Sequence, residues 1–201
     1  MVGVDPVRTS REAAWRELCR SEGGVYTLGA SGAPRVEIHD GPWTITLDDH
    51  AFAEDGVHRH HTRMRAPFVA VDGLSFRLRR RTLWDELRRI VAIDPVSTSD
   101  PTFDARHSGE ANDPARLAAF LADHKLRNAL LAADVREYSV KHREEGFGAR
   151  LPDGVDELYL EVDGIVREHE RLLSMRAALK RGLARLVELG SAEPRDPLVR
   201  L

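Results

Sequence analysis

Two segments of this chain alternate between basic and less polar residues with a period of two. The odd positions of residues 57–66 carry mostly arginine, and residues 74–81 repeat the pattern. Because a β-strand sends successive side chains to opposite faces, each segment predicts a strand with one basic face and one drier face. If the two strands pair, they form a plate of positive charge, which we call the basic plate. Its arginines are Arg59, Arg63, Arg65, Arg77 and Arg79.

Further alternating segments lie around these two and are separated by short turns. The Gly41-Pro42 pair is a strong turn signal, and residues 43–49 after it alternate apolar with polar side chains. Connections this short leave no room for crossover helices, so we predict antiparallel strands. The predicted strands cover residues 25–28, 35–40, 43–49, 57–66, 74–81, 135–143 and 157–162.

Helical patterns occupy much of the remaining chain. We predict an N-terminal helix to about residue 21, a second over residues 82–91, and a third that begins at Asp113-Pro114 and bends near Asp123. A final helix is predicted over residues 166–189. Its continuous apolar face consists of Leu172, Met175, Leu179, Leu183 and Leu186.

These elements predict one α+β domain over residues 1–201, with residues 191–201 as a loose C-terminal tail. It comprises a bent antiparallel sheet of about six or seven strands, an N-terminal helix, inserted helices, and the long C-terminal helix packed on the dry face. One specific form is a pleckstrin-homology-like half-open barrel closed by that helix. The irregular stretch at residues 94–112 is the best candidate for a domain boundary. A fold alone does not give a function.

Composition restricts the partners and the compartment. The 201 residues include 30 basic and 33 acidic side chains, with a formal net charge of -3, so a basic site must be local. Cys19 is the only cysteine, which rules out an internal disulfide and a cysteine-based zinc site within one chain. Residues 1–10 lack the apolar core of a signal peptide, and no segment reaches the roughly 20 apolar residues of a membrane span. We therefore expect a cytoplasmic protein.

The basic plate supports our leading hypothesis, a non-enzymatic interaction module that binds an acidic protein partner. Arginine suits this role because its planar guanidinium donates two parallel hydrogen bonds to a carboxylate. Nucleic acid is disfavoured as a partner, because the strands lack the aromatic side chains on which bases stack. The alternative is a charge ladder in which the arginines pair with acids on neighbouring strands. The candidate acids are Glu37, Asp48, Glu157 and Glu161.

A histidine pair gives a second hypothesis, a metal-dependent enzyme. His58 and His60 lie on one face of a predicted strand and are candidate metal ligands. The third ligand would come from His39, His50, Asp48 or Asp49. The cupin-like pattern fails, because no glutamate follows the pair in residues 62–67. We therefore assign no metal, and His58 and His60 remain candidates only.

Other catalytic signatures are absent from the sequence. No segment has the spacing of a phosphate-binding loop, a nucleophile elbow or a calcium loop. We therefore predict no cofactor and assign no catalytic residue. A third hypothesis is a structural subunit of a larger assembly, or a homo-oligomer.

Several phrases resemble an uncharacterised family of bacterial cytoplasmic proteins of about 200 residues. They are WTITLD at residues 43–48, TRMRAPF at 62–68, DPTFD at 100–104, GVDEL at 154–158, and the closing run at 171–192. The resemblance implies that the chain from Trp15 onward is one continuous unit. It implies no established activity and transfers no catalytic residue.

Overall fold

The computed structural model describes residues 6–29, 32–54, 57–81, 97–142 and 151–201. Of residues 6–9, 52–54, 57 and 58 it describes the backbone only. The helix predicted over residues 82–91 lies outside this described part, as does most of the turn predicted between the last two strands. The α+β class is confirmed within it.

The described strands form one antiparallel sheet that does not close. Their order in the sheet is β1-β2-β3-β4-β8-β7-β5-β6, and β9 pairs with the end of β4. Every predicted strand is present, and β3 and β4 extend beyond their predicted ends. The bounds are β1 (Val25–Leu28), β2 (Pro34–Asp40), β3 (Trp43–Glu54), β4 (Val57–Ala70), β5 (Phe76–Arg80), β6 (His107–Ala111), β7 (Glu137–Lys141), β8 (Val155–Asp163) and β9 (Ala192–Glu193).

Five helices accompany the sheet in the described part of the chain. Aspartate side chains cap three of them by accepting hydrogen bonds from backbone amides of the first turn. One of these caps, Asp123, separates two helices at the position where the sequence predicted a bend. None of the described helices is long and apolar enough to cross a membrane. The bounds are α1 (Pro6–Glu22), α2 (Pro101–Arg106), α3 (Pro114–Leu121), α4 (His124–Ala133) and α5 (His169–Glu188).

The apolar side of the sheet, which we call the dry face, holds the core. Alternate residues of the central strands, such as Met64 on β4 and Leu160 on β8, are fully buried there. α5 lies against both strands, and every apolar residue predicted for its inner face is buried. α1 also packs on this side, and the indole Nε1 of Trp15 donates to the carbonyl of Val166 at 3.1 Å. Burial of these side chains is the main force that holds the helices on the sheet.

The predicted pairing of the two arginine-bearing strands is wrong. β4 lies between β3 and β8, whereas β5 lies between β7 and β6, so two strands separate them. The physical reason is the burial of β8, on which only Asp163 is exposed. A strand that is covered along almost its whole length occupies the middle of a sheet, with a hydrogen-bonded neighbour on each side.

Two segments predicted to be irregular contain regular structure. Within residues 94–112, α2 forms behind its Asp100 cap, and β6 pairs with β5 in the main sheet. In residues 191–201, predicted to be a loose tail, β9 pairs with β4 and the side chain of Leu201 is buried. Both strands are too short to show a clear alternation in sequence.

A glycine sets how closely α5 approaches the sheet. Tyr138 on β7 points into the core, and its hydroxyl donates to the carbonyl of Ala178 on α5 at 3.0 Å. Gly182 lies one helical turn further on, and a Cβ there would overlap the Tyr138 hydroxyl and crowd Leu158. The contact therefore requires the absence of a side chain at residue 182.

Replacing Gly182 with alanine should destabilise the protein, although alanine is the better helix former. We expect a loss of about 1–3 kcal/mol in the free energy of unfolding, because an added methyl group forces a close-packed core to shift. Chemical denaturation measures this. Ser174→Ala, on a more exposed part of α5, is the matched control and should change stability only slightly. A stabilised Gly182→Ala variant would show that the helix does not sit this close.

Candidate metal centre on the polar face of the sheet

The side of the sheet opposite the core carries rows of basic and acidic side chains. We call this side the polar face. Register places Arg63 of β4 opposite Glu161 of β8, and Glu161 opposite Glu137 of β7. Glu137 in turn lies opposite Arg79 of β5. All the arginines of the predicted plate therefore share one face, as their odd numbering predicted, but acidic strands lie between them.

Two arginines of the plate form ion pairs that are largely buried. Arg63 and Arg65 converge on Asp48 of β3, and Arg65 Nη2 lies 2.7 Å from Asp48 Oδ2. All three side chains are largely buried. Burial lowers the pKa of Arg63, but its hydrogen bonds to Asp48 and the nearby negative charges, that of Asp48 first, together hold the pKa above its ordinary value.

The other arginines of the plate are more accessible. Arg77 Nε donates to Glu137 Oε2 at 2.9 Å, and 44% of the Arg77 side chain stays exposed. Arg59 and Arg79 are exposed. Within the described residues, the side chain of Arg79 has no hydrogen bond or ion pair. The structure therefore divides the five arginines into a buried pair and an accessible set.

The structure describes one side chain of the histidine pair proposed from the sequence, that of His60, and places it near Asp49, one of the proposed third ligands. His60 is exposed on the helix-covered side of the sheet, where its Nδ1 lies 3.7 Å from Asp49 Oδ2. Asp49 is already bonded to Arg11 at 2.9 Å. Of the other proposed ligands, His39 bonds to Thr44, whereas His50 and Asp48 lie on the polar face. The side chain of His58 is outside the described set.

A different histidine pair meets a carboxylate on the polar face. His50 of β3 lies opposite His61 of β4, and Glu161 of β8 is diagonal to His61. One ligand atom from each of the three residues lies within 4.8 Å of the other two. His61 Nδ1 is 2.8 Å from Glu161 Oε1, and His50 Nε2 is 3.7 Å from Glu161 Oε2. We call these three residues the His-His-Glu cluster.

Neighbouring side chains orient the members of the cluster. The Tyr159 hydroxyl donates to Glu161 Oε2, while Asp163 Oδ1 lies 3.4 Å from His61 Nε2. A carboxylate on the second nitrogen of a histidine is the usual support for a metal-binding imidazole. Burial raises the pKa of the Asp163 carboxyl, but the hydrogen bond from Arg136 and the positive charges of Arg136 and Arg80 together lower it.

The cluster is partly open to solvent. His61 and Glu161 are nearly buried, at 5% and 10% side-chain exposure, whereas 32% of the His50 side chain is exposed. Burial, and after it the charge of Arg63, lowers the pKa of His50, so its imidazole is neutral near pH 7. Two imidazoles and one carboxylate suit zinc or iron(II), and three protein ligands leave coordination positions for water or substrate.

Sequence reasoning found only part of this cluster. His50 was one of several proposed third ligands, and His61 was grouped with the arginines because it shares their odd numbering. Glu161 was assigned to the charge ladder. It lies 100 residues after His61, and only the pairing of β4 with β8 brings the two together.

No protein-family model, curated protein or solved structure matches this chain. The resemblance to a bacterial family therefore stays a prediction.

The Asp48 ion pairs should be essential to the fold. In the Asp48→Asn variant two largely buried guanidiniums lose the charged carboxylate that they share, and Arg65 keeps only Glu157 at 3.7 Å. We therefore expect the free energy of unfolding to fall by about 3 kcal/mol. Asp196→Asn removes an aspartate that pairs with Arg200 at the surface, so it should leave the unfolding midpoint nearly unchanged. Urea denaturation of both variants makes the comparison. Equal midpoints would show that Arg63 and Arg65 do not depend on Asp48.

Proposed function

We propose that this protein is a metal-dependent enzyme whose metal ion is bound by His50, His61 and Glu161. One observation supports the proposal above others: three adjacent strands bring two imidazoles and a carboxylate within 4.8 Å of one another. Strands in the interior of a sheet hold their side chains with little freedom, which favours a defined coordination geometry. The proposal moves the metal from the His58 and His60 pair to the opposite face.

The open side of the cluster favours catalysis over a purely structural metal. Structural zinc sites use four protein ligands, whereas catalytic sites use three and keep a position for water. Zinc bound in this way lowers the pKa of its water to about 7 and supplies hydroxide for hydrolysis. That chemistry makes hydrolysis the reaction class we propose.

Asp163 is a positioning residue, because it contacts His61 and would not itself bind the metal.

Metal analysis tests the proposal directly. The purified protein, stripped with a chelator and reloaded, should bind about one equivalent of zinc or iron(II). His50→Ala and Glu161→Gln should weaken binding at least tenfold, because each removes one of three ligands. The matched control is His60→Ala, which removes an imidazole one residue from His61 but on the other face. It should bind metal as the wild type does.

Two results would contradict the proposal. One is the absence of stoichiometric metal from the reloaded wild type. The other is loss of metal from His60→Ala while His50→Ala retains it, which would restore the sequence-based site. Thermal melting followed by circular dichroism shows whether each variant is folded. His50 is the preferred position because it is the most exposed ligand of the three.

A second candidate function is the acidic-partner module. It is supported by Arg59 and Arg79, which are exposed, and by Arg77, which is nearly half exposed. Arg63 and Arg65 contribute less to such a surface, because both are largely buried and already paired with Asp48. The partner would be a protein with an acidic surface in the cytoplasm, and long-range attraction would make its binding sensitive to salt. The third hypothesis, a structural subunit or homo-oligomer, stays a separate prediction that would use the basic plate or an exposed helix face as its contact.

Affinity capture from the native cell tests this second function. The Arg59→Glu, Arg79→Glu double variant should lose a partner that the wild type retains at low salt, and its melting temperature should not fall. Arg16→Glu, on the exposed side of α1, is the matched charge reversal and should retain the partner. Capture that persists at high salt, or that nuclease abolishes, would refute an acidic protein as the partner.

A further inference from the structure

We infer that the metal centre acts on a substrate with an oxyanion, a phosphate or carboxylate group, and that Arg136 binds this group beside the metal. This inference rests on the proposed function. It adds a substrate class and a binding residue that lies outside the His-His-Glu cluster. Its support is the balance of charge around the cluster and the hydrogen bonds that each nearby arginine already makes.

Fixed charges around the cluster cancel before a metal binds. Its surroundings contain three carboxylates and three guanidiniums. These charged groups are Asp48, Glu161 and Asp163, and Arg63, Arg80 and Arg136. A divalent ion therefore adds two positive charges that no side chain in this set neutralises. Such a centre attracts an anion to its open side.

Two of the three arginines are committed elsewhere. Arg63 uses Nε and Nη2 on Asp48, and 15% of its side chain is exposed. Arg80 bonds to Asp163 through Nη1 and to Asp134 through Nη2. Neither guanidinium keeps two adjacent nitrogens that could bind a substrate anion.

Arg136 is the arginine placed to bind substrate. Its Nη1 donates to Asp163 at 3.0 Å, and its Nε lies 3.5 Å from Glu161 Oε1, at the edge of the cluster. Its side chain is 45% exposed. A metal ion on Glu161 would weaken the hold of that carboxylate on Nε, and Nε and Nη2 would then form a fork for another anion while Nη1 stays on Asp163. The guanidinium fork binds phosphate and carboxylate groups with two parallel hydrogen bonds.

The experiment uses cobalt(II), whose visible absorption reports changes in its coordination. The stripped protein is first titrated with cobalt(II) alone, which measures metal affinity by itself. Inorganic phosphate and acetate are then added in separate titrations, and the absorption is followed. We expect at least one of these anions to change the spectrum and to saturate. Saturation by phosphate alone indicates a phosphate-bearing substrate, and saturation by acetate alone indicates a carboxylate.

The variant Arg136→Gln should weaken this anion binding about tenfold or more while leaving the cobalt affinity within about twofold. Arg16→Gln is the matched control, since it removes the same charge from an exposed arginine of α1 that contacts Glu12 and Tyr26 rather than the cluster. It should bind the anion as the wild type does. Arg136→Lys should restore only part of the affinity, because an ammonium group lacks the planar fork.

Three outcomes would overturn the inference. Cobalt(II) that binds with no spectral response to either anion would remove the substrate class and leave the metal centre intact. Equal anion affinity in Arg136→Gln and Arg16→Gln would remove the role of Arg136. Failure of cobalt(II) to bind would refute the proposed function and this inference together, and the first titration reveals it separately. The wild-type titrations decide the substrate class even if Arg136→Gln does not fold.

Discussion

The position of β8 between β4 and β7 is the constraint on which the rest of this structure depends. Its even-numbered side chains enter the core, and its odd-numbered side chains place Glu157, Tyr159 and Glu161 on the polar face. β8 thereby separates the two arginine-bearing strands. The same register brings Glu161 beside His61. One strand pairing therefore determines both the charge pattern and the candidate metal centre.

The polar face resembles a second interior more than an ordinary solvated surface. Asp48, Arg65, Glu157 and Glu161 are each less than one tenth exposed. Removing a charge from water is costly unless a partner of opposite sign compensates for it. The acids of β3 and β8 flank the arginines of β4, and Glu137 of β7 pairs with Arg77 of β5, so these strands supply such partners. The arrangement accounts for arginine at these positions, because a planar guanidinium bridges two carboxylates better than a lysine does.

The two faces of the sheet have complementary roles. On the dry face, α5 and α1 bury the apolar residues and hold the strands in register. That rigidity positions side chains on the other face, where a shift of about 1 Å alters a metal site or a catalytic geometry substantially. The close contact of Gly182 with Tyr138 belongs to this support. The candidate centre thus depends on packing that lies on the far side of the sheet.

The sequence by itself determined the local elements and the orientation of their side chains. The alternation over residues 43–49 and 57–66 predicted the strands, the heptad-like spacing from Leu172 to Leu186 predicted the buried face of α5, and odd numbering placed the arginines on one face. These patterns depend on the periods of the helix and the strand, which a short window reveals. The tertiary structure alone decided that β8 and β7 separate β4 from β5, and that Glu161 meets His50 and His61. The physical reason is that strand order and register are set by competition for burial and hydrogen bonds among distant segments, and no local period records the outcome.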